Sequence, residues 1–465
     1  MHSHNPQPYQ RISPLCAQER VDSFGYLCRG RNEVGDLRRC GVSKLHPADI
    51  AEILRNLDPK KRKLFFNSLK PEVGARVLAE LDPESEAELL RDLESPQLSK
   101  ILNVMPSDDA ADVVADLSQE KKDKVLQLME KEESADVKKL LKYPEESAGG
   151  IMTTDFLALN EDISAAQAIE ALREYAQKAP PTFFIYVVDK DNRLKGSLPV
   201  RNLILVSPEK KLKEIMDEEV ISVPVDLDQE KVAQIVAKYN LPVVPVVDNA
   251  GKLVGIITSD DIIDVIREEA EEDIYHMVGS DEEEEMGSSV FRIARGRLFW
   301  LVLTLFGGIF ASTILKSFRM TLERIVALAF FIPVMMDMAG NVGTQSSTVV
   351  VRSLATGNID FSKIWKVLIK EVKIAMLIGI VCALVVGTMA IFLGEKGVSL
   401  GMVVGISMFT AIVAAALTGT LAPFVFRYFR VDPAFASGPI VTTVDDVIAL
   451  SIYFALATFL FKIVG

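Results

Sequence analysis

Three aspartates, Asp337, Asp445 and Asp446, lie inside long apolar stretches of the C-terminal half of this chain. A charged carboxylate at mid-bilayer costs about 2.5–3.5 kcal/mol on insertion scales, so it normally faces a cavity or a partner. Around the first, Pro333, Asp337, Asn341 and Gln345 recur every four residues, with Gly340, Gly343 and Ser347 beside them. That spacing aligns the polar groups on one helix face. Around the pair, Gly438-Pro439 and Thr442-Thr443 precede Asp445-Asp446 in a similar stripe. Helix–helix packing accounts for Gly340, Gly343 and Ser347, because small residues let backbones approach. It does not account for the aspartates, since no Lys or Arg lies at similar depth to neutralise them. A cation is the missing partner, and the chemistry is that of an ion path. Asp446 shares the stripe of Pro439, Thr442 and Thr443, whereas Asp445 is rotated by about 100° towards Val441 and Ile448. Helical spacing therefore favours Asp446 as the carboxylate that meets the ion.

Membrane helices must position these groups. Five apolar segments can each span about 30 Å of hydrocarbon: roughly Leu298–Leu315, Ile325–Val351, Val367–Leu393, Leu400–Phe426 and Ala434–Phe461. An odd number places the termini on opposite sides. Arg292, Arg295 and Arg297 precede the first segment, Arg352, Lys363, Lys366 and Lys370 follow the second, and Arg427 and Arg430 follow the fourth. Those positions share one side, so the positive-inside bias puts the N-terminal half in the cytoplasm and the C-terminus outside. Lys316, Arg319 and Arg324 weaken the bias without reversing it.

The rest of the 465-residue chain reads as soluble and acidic, with a formal net charge of -13. That balance suits cations as partners and excludes nucleic acid, whose phosphates need a basic face. Cys16, Cys28, Cys40 and Cys382 form no zinc-knuckle spacing, and no disulfide framework is expected. The four histidines, His2, His4, His46 and His276, lie outside the apolar segments in no catalytic grouping. A P-loop is absent as well, so neither a membrane enzyme nor ATP-driven pumping is indicated. Residues 1–42 read as a weakly ordered leader without a signal peptide.

Two repeats organise the soluble half. Leu57-Asp58-Pro59, Leu69-Lys70-Pro71 and Leu81-Asp82-Pro83 fall twelve residues apart, followed less regularly by Ser95-Pro96 and Met105-Pro106. Proline suits the first turn of a helix, so each unit reads as one short helix, and stacked units make a superhelical array over 43–145. Asp108, Asp109 and Asp112 form an acidic cluster opening one repeat. Further on, Ile185-Tyr186-Val187-Val188-Asp189 and Leu194-Lys195-Gly196 are echoed by Val244-Pro245-Val246-Val247-Asp248 and Leu253-Val254-Gly255, an offset of 59 for both Asp and Gly. Each reads as a hairpin flanked by helices. This layout resembles a pair of CBS domains, here 146–214 and 215–264. Its second copy carries Gly255-Ile256-Ile257-Thr258-Ser259-Asp260-Asp261, close to where such domains can hold an adenosine nucleotide such as ATP. Thr258 and Asp261 are the candidate contacts, and a purely structural tandem is the competing reading. A very acidic helix and linker, 265–290, then leads through Asp281-Glu282-Glu283-Glu284-Glu285 into the membrane half, 291–465.

From about Ser43 to its end the chain closely resembles the MgtE family of magnesium channels. The most specific motifs are Pro333-Val334 through Gly340-Asn341-Val342-Gly343-Thr344-Gln345, and Asp432-Pro433 through Asp446. The resemblance implies a fold of helical N domain, CBS pair, connecting helix and five-helix membrane bundle. It implies a homodimer in the plasma (bacterial inner) membrane, surrounded by lipid, whose Asp446 side chains read hydrated Mg²⁺ across a two-fold axis. Asp337, Asn341, Gly343, Gln345 and Thr442 complete the expected pore set. Members close when cytosolic Mg²⁺ rises, and the matching carboxylates here are Asp108 with Asp112, then Asp228, Glu230, Asp261 and Asp264, and Glu269, Glu272 and Asp273 on the connecting helix. Asn240 stands where relatives can carry an Asp. The alternative is a secondary transporter exchanging a divalent cation for Na⁺ or H⁺ through the same carboxylates. Co²⁺, Mn²⁺ and Ni²⁺ are not ranked against Mg²⁺ by the sequence.

Overall fold

The computed structural model describes residues 45–176, 184–280, 290–356, 359, 361–393, 397–436 and 438–464. The leader over 1–42 and the acidic run Asp281–Glu285 lie outside the described residues. Two compact units divide the chain, residues 1–265 and 266–465.

The first unit opens with helices α1 (Pro47–Arg55), α2 (Pro59–Phe66), α3 (Pro71–Ala79), α4 (Pro83–Asp92), α5 (Ser95–Leu102), α6 (Ser107–Ala115), α7 (Gln119–Leu128) and α8 (Lys131–Leu140). Every start falls twelve residues after the previous one, so the period expected to loosen after α4 holds to the end. What changes is the proline: it takes the second position of α5, becomes the N-cap of α6, and is missing from α7 and α8. Asp58 Oδ1 accepts from Lys61 N at 3.2 Å and Asp82 Oδ1 from Ser85 N at 3.0 Å. Caps of this kind contribute about 1 kcal/mol each. Most helices pack on the one two places along, α1 on α3, α3 on α5, α5 on α7 and α6 on α8. This is the expected superhelical stacking, closed over buried Ile50, Leu54, Phe66, Leu78 and Leu98.

Two three-stranded sheets follow. β1 (Ala158–Asn160), β2 (Phe184–Val188) and β3 (Leu194–Pro199) form one, with α9 (Ala165–Tyr175) between β1 and β2 and α10 (Val200–Leu205) after β3. β4 (Val223–Pro224), β5 (Val243–Val247) and β6 (Leu253–Thr258) form the other, with α11 (Gln229–Tyr239) between β4 and β5. β2–β3 and β5–β6 are the hairpins expected from the repeat; β1 and β4, which pair parallel to β2 and β5, were not visible in it. Even the register irregularity recurs, between Val187 and Val188 and again between Val246 and Val247. Both turns are built alike: Asp189 Oδ1 accepts from Asp191 N and Arg193 N, and Asp248 Oδ1 from Ala250 N and Lys252 N, all at 2.9 Å. The two turns then pair with each other, Leu194 N donating to Gly251 O and Leu253 N to Asn192 O. α12 (Ser259–Val278) begins directly after β6.

The second unit holds the last part of α12 and the apolar helices α13 (Val290–Ser317), α15 (Ile332–Ala355), α16 (Ile364–Leu393), α17 (Val398–Tyr428) and α18 (Gly438–Val464), with the short α14 (Arg319–Arg324) between α13 and α15. Five helices among the described residues are long and apolar enough to cross a membrane, at the positions expected from the sequence. α17 packs against α15, α16 and α18 and forms the centre of the bundle. By contrast, α13 leaves Leu298, Phe299, Leu305, Phe306 and Phe310 exposed. Such an apolar surface is stable facing lipid.

Candidate ion pathway and regulatory carboxylates

Pro333, Asp337, Asn341 and Gln345 are all exposed along one face of α15. Four-residue spacing on a helix produces that row. Asp446, half-buried on α18, borders a cleft of about 400 Å³ with Thr304, Gly307, Gly308, Ala311, Pro439, Thr442 and Thr443. Thr442 also reaches α15, its Oγ1 lying 3.3 Å from Thr344 Oγ1. A Cβ placed on Gly340 would sit 3.9 Å from Asp446 Oδ1, so the stripe on α15 runs beside this carboxylate. Neither Asp337 nor Asp446 forms an ion pair with a basic side chain among the described residues.

Asp445 points elsewhere. It is wholly buried, accepts a hydrogen bond from Thr418 Oγ1 on α17, and its Oδ2 has no hydrogen-bond partner among the described residues. Gly343 faces that same oxygen rather than the exposed stripe with which the sequence grouped it, and a Cβ there would overlap Asp445 Oδ2. Glycine is needed at 343 because α15 and α18 meet on the carboxylate itself. Two further ties fix α15. Ser347 Oγ donates to Ala436 O at 2.9 Å, and Ser346 Oγ donates to Glu371 Oε2 at 3.2 Å. Glu371, buried on α16, is an acidic membrane residue the sequence reading overlooked. It falls inside the apolar segment Val367–Leu393, where Lys370 and Lys373 flank it and hide its burial from the sequence.

In the first unit, Asp108 and Asp109 at the start of α6 crowd against Asp261 at the start of α12. Burial first, then Asp109 and Asp261, push the Asp108 carboxyl up to about 7. Burial, Asp261, Asp112 and Asp260 push Asp109 up to about 7 as well. Asp108 Oδ1 is buried without a hydrogen-bond partner among the described residues. Glu86 on α4 extends the cluster; burial together with Asp116, Asp112, Asp109 and Asp82 raises it to about 8. Sequence reasoning named Asp108, Asp112 and Asp261 but missed Glu86, whose neighbours Asp109, Asp112 and Asp116 come from the repeat two places along. An all-oxygen set with an orphaned carboxylate oxygen fits a hard divalent cation such as Mg²⁺. Asp264, on the same helix as Asp261, is exposed.

Asp228 and Glu230 stand at the start of α11. Asp228 is the N-cap of α11, accepting from Lys231 N at 3.4 Å, and Glu230 accepts from Gln234 Nε2 at 3.2 Å. Asn240 closes α11 at φ +52°, in the left-handed region. Asparagine tolerates that conformation better than most residues, which gives its presence there a structural cause.

Thr258 and Asp261 line a cleft of about 840 Å³ with Phe156, Phe184, Tyr186 and Arg201. The Thr258 hydroxyl donates to Asp261 Oδ2 at 2.5 Å. In the second unit, Glu269, Glu272 and Asp273 sit on the later turns of α12. Burial, Asp432 and Glu269 push Asp273 up to about 6, while His276 opposes the rise.

Comparison with known proteins places these regions. A family model for a divalent cation transporter, MgtE, matches residues 332–456. The MgtE intracellular N domain matches 45–146, and the CBS domain matches 148–209 and 212–268. The magnesium transporter MgtE of Thermus thermophilus is 39% identical over 329 residues, covering 70% of this chain and 72% of that protein. Its counterpart in Bacillus subtilis is 36% identical over 319 residues, covering 69% and 70%. Among solved structures, the soluble part of a magnesium transporter is 32% identical, covers 55% of this chain and 98% of its own, and has a TM-score of 0.48. The cytosolic domain of the Mg²⁺ channel MgtE in complex with ATP is 34% identical, covers 54% and 99%, and also has a TM-score of 0.48.

Proposed function

The chain belongs to the MgtE family of divalent cation transporters, not to an enzyme family, and on that premise we propose that it is a Mg²⁺-selective channel closed by cytosolic Mg²⁺. The carrying observation is the exposed row of Pro333, Asp337, Asn341 and Gln345 running beside Asp446 without a basic partner among the described residues. An exposed polar row on a membrane helix is costly against lipid. A second copy of the chain, related by a two-fold axis, would cover it and bring two Asp446 side chains face to face. Mg²⁺ dehydrates reluctantly, so carboxylates that hold its hydration waters are a better filter than a tight cage. Two facing carboxylates repel when empty, and a divalent cation relieves that repulsion better than a monovalent one.

Closure rests on the carboxylates raised by crowding. Asp108, Asp109 and Asp261 repel one another at neutral pH, and a bound Mg²⁺ would draw the N domain and second CBS unit together. Glu269, Glu272 and Asp273 give the connecting helix the same sensitivity. Exposed Ile204 and Leu205 on α10 supply apolar surface for a second soluble half. An adenosine nucleotide would enter the 840 Å³ cleft, stacking near Phe184 and Tyr186, with Arg201 for its phosphates and a cation to offset Asp108, Asp260 and Asp261.

Purified chain in liposomes tests this reading. Mg²⁺ uptake should follow an imposed membrane potential and fall when Mg²⁺ is raised on the side of the soluble half. Uptake that instead follows a Na⁺ or pH gradient at zero potential would establish coupled exchange.

A further inference from the structure

The last turns of α12 meet the segment leading into α18. Gly438 packs against the Met277 carbonyl so closely that a Cβ there would overlap its oxygen, which seats the end of one helix on the start of the other. At this junction three side chains converge. His276 Nδ1 lies 2.9 Å from Asp432 Oδ2 and 3.7 Å from Glu272 Oε1. One ligand atom from each residue falls within 4.8 Å of the others. Metal–nitrogen and metal–oxygen bonds of about 2.1 Å put neighbouring ligand atoms about 3 Å apart, so His276 and Asp432 already stand at that separation and a small inward turn of Glu272 completes the set.

The imidazole is held in place. Its side chain is 13% exposed and stacks on Phe435 with ring centroids 4.0 Å apart, and Phe435 stacks in turn on Trp300 at 5.5 Å. Glu272 and His276 are four residues apart on α12 and so project from one face. Asp432 is anchored by its other oxygen, which accepts from Ala434 N at 2.9 Å. Asp273 and Glu269 add negative charge beside the group.

We infer that Glu272, His276 and Asp432 form a mixed nitrogen–oxygen site for a first-row transition divalent cation, one that prefers such an ion over Mg²⁺. Oxygen donors alone suit Mg²⁺, whereas imidazole raises affinity for Co²⁺, Ni²⁺ and Zn²⁺ along the usual order of stability. An ion there fastens α12 to the segment opening α18, the helix that carries Asp446. Transition divalents then act as closing ligands at concentrations below those at which Mg²⁺ occupies the connecting-helix carboxylates. That consequence for transport rests on the gating proposed above; the binding does not.

The test uses the purified full chain with saturating Mg²⁺ to mask all-oxygen sites, and Co²⁺ as the probe, read by equilibrium binding and visible absorption. Loss of an outer-shell partner already weakens metal sites about 10–100-fold, so His276→Gln should weaken Co²⁺ binding by at least about ten-fold. His276→Asp, with oxygen donors only, should lose the preference for Co²⁺ while still binding Mg²⁺, a change no purely structural role for His276 produces. If His276→Gln does not fold, Asp432→Asn and Glu272→Gln carry the same expectation. Wild-type Co²⁺ affinity and spectrum in these variants would overturn the site, whatever the flux. Co²⁺ that binds through His276 yet leaves Mg²⁺ flux unchanged would uphold the site and overturn the gating instead.

Discussion

Replacing Asp108 and Asp109 together by Asn should make the N domain less dependent on Mg²⁺ and more stable without it. Each carboxyl is pushed up to about 7 in the folded chain, from an ordinary value near 3.8. A shift of this size corresponds to about 4 kcal/mol per group taken alone, and less for the two together because they share the same repulsion. The sign follows from linkage. With the folded value above the unfolded one, the favourable contribution is complete below about pH 4 and is lost as pH rises through about 7. At neutral pH the parent chain therefore carries this strain unless a cation relieves it. Hydrogen exchange of the α4 and α6 amides in the full chain reads it directly, in chelator and then in saturating Mg²⁺. Relief of only a third of the single-group figure, about 1.4 kcal/mol, slows exchange about ten-fold. Mg²⁺ should produce that slowing in the parent. The Asn variant should show it already in chelator, with little added by Mg²⁺. A variant that exchanges as fast as the parent in chelator would refute the reasoning.

Gly343→Ala should lower the melting temperature of the detergent-solubilised chain, through a loss of about 1–3 kcal/mol as the added methyl overpacks Asp445. Mg²⁺ flux should fall with it, because α15 and α18 must move apart; an Ala variant with parental melting and flux would contradict this packing. Asn240→Val forces a β-branched residue to a positive φ, a cost of about 1–2 kcal/mol. Thermal unfolding should show α11 and its CBS unit weakened, and an unchanged midpoint would remove the structural cause assigned to Asn240.

Legibility in the sequence depended on how local the signal was. The N domain announced itself because proline at a helix start is a covalent constraint, repeated every twelve residues. Beyond α6 the same period survives without proline, carried by burial of residues such as Val125 and Val137, a weaker mark. Both hairpins were readable from their 59-residue echo, whereas β1 and β4 are three and two residues long and exist only through their parallel partners. The row from Pro333 to Gln345 was readable because a helix converts spacing into a face. Close packing at Gly343 was readable, but its partner Asp445 was not, being about a hundred positions away and on another helix. His276 looked isolated for the same cause: its partner Asp432 is 156 residues distant. Glu86 gains its raised value from burial and from the carboxylates of the α6 repeat, which its own segment does not signal.

Mg²⁺ flux through Asp446→Ala, reconstituted in liposomes beside the parent and Asp445→Asn, tests the central assignment most directly. The parent should conduct and Asp446→Ala should lose Mg²⁺ flux by at least about ten-fold, the equivalent of about 1.4 kcal/mol, while keeping its melting temperature. Asp445→Asn, which keeps the acceptor for Thr418, should retain most of the flux. A folded Asp446→Ala chain that passes Mg²⁺ as well as the parent would contradict the account.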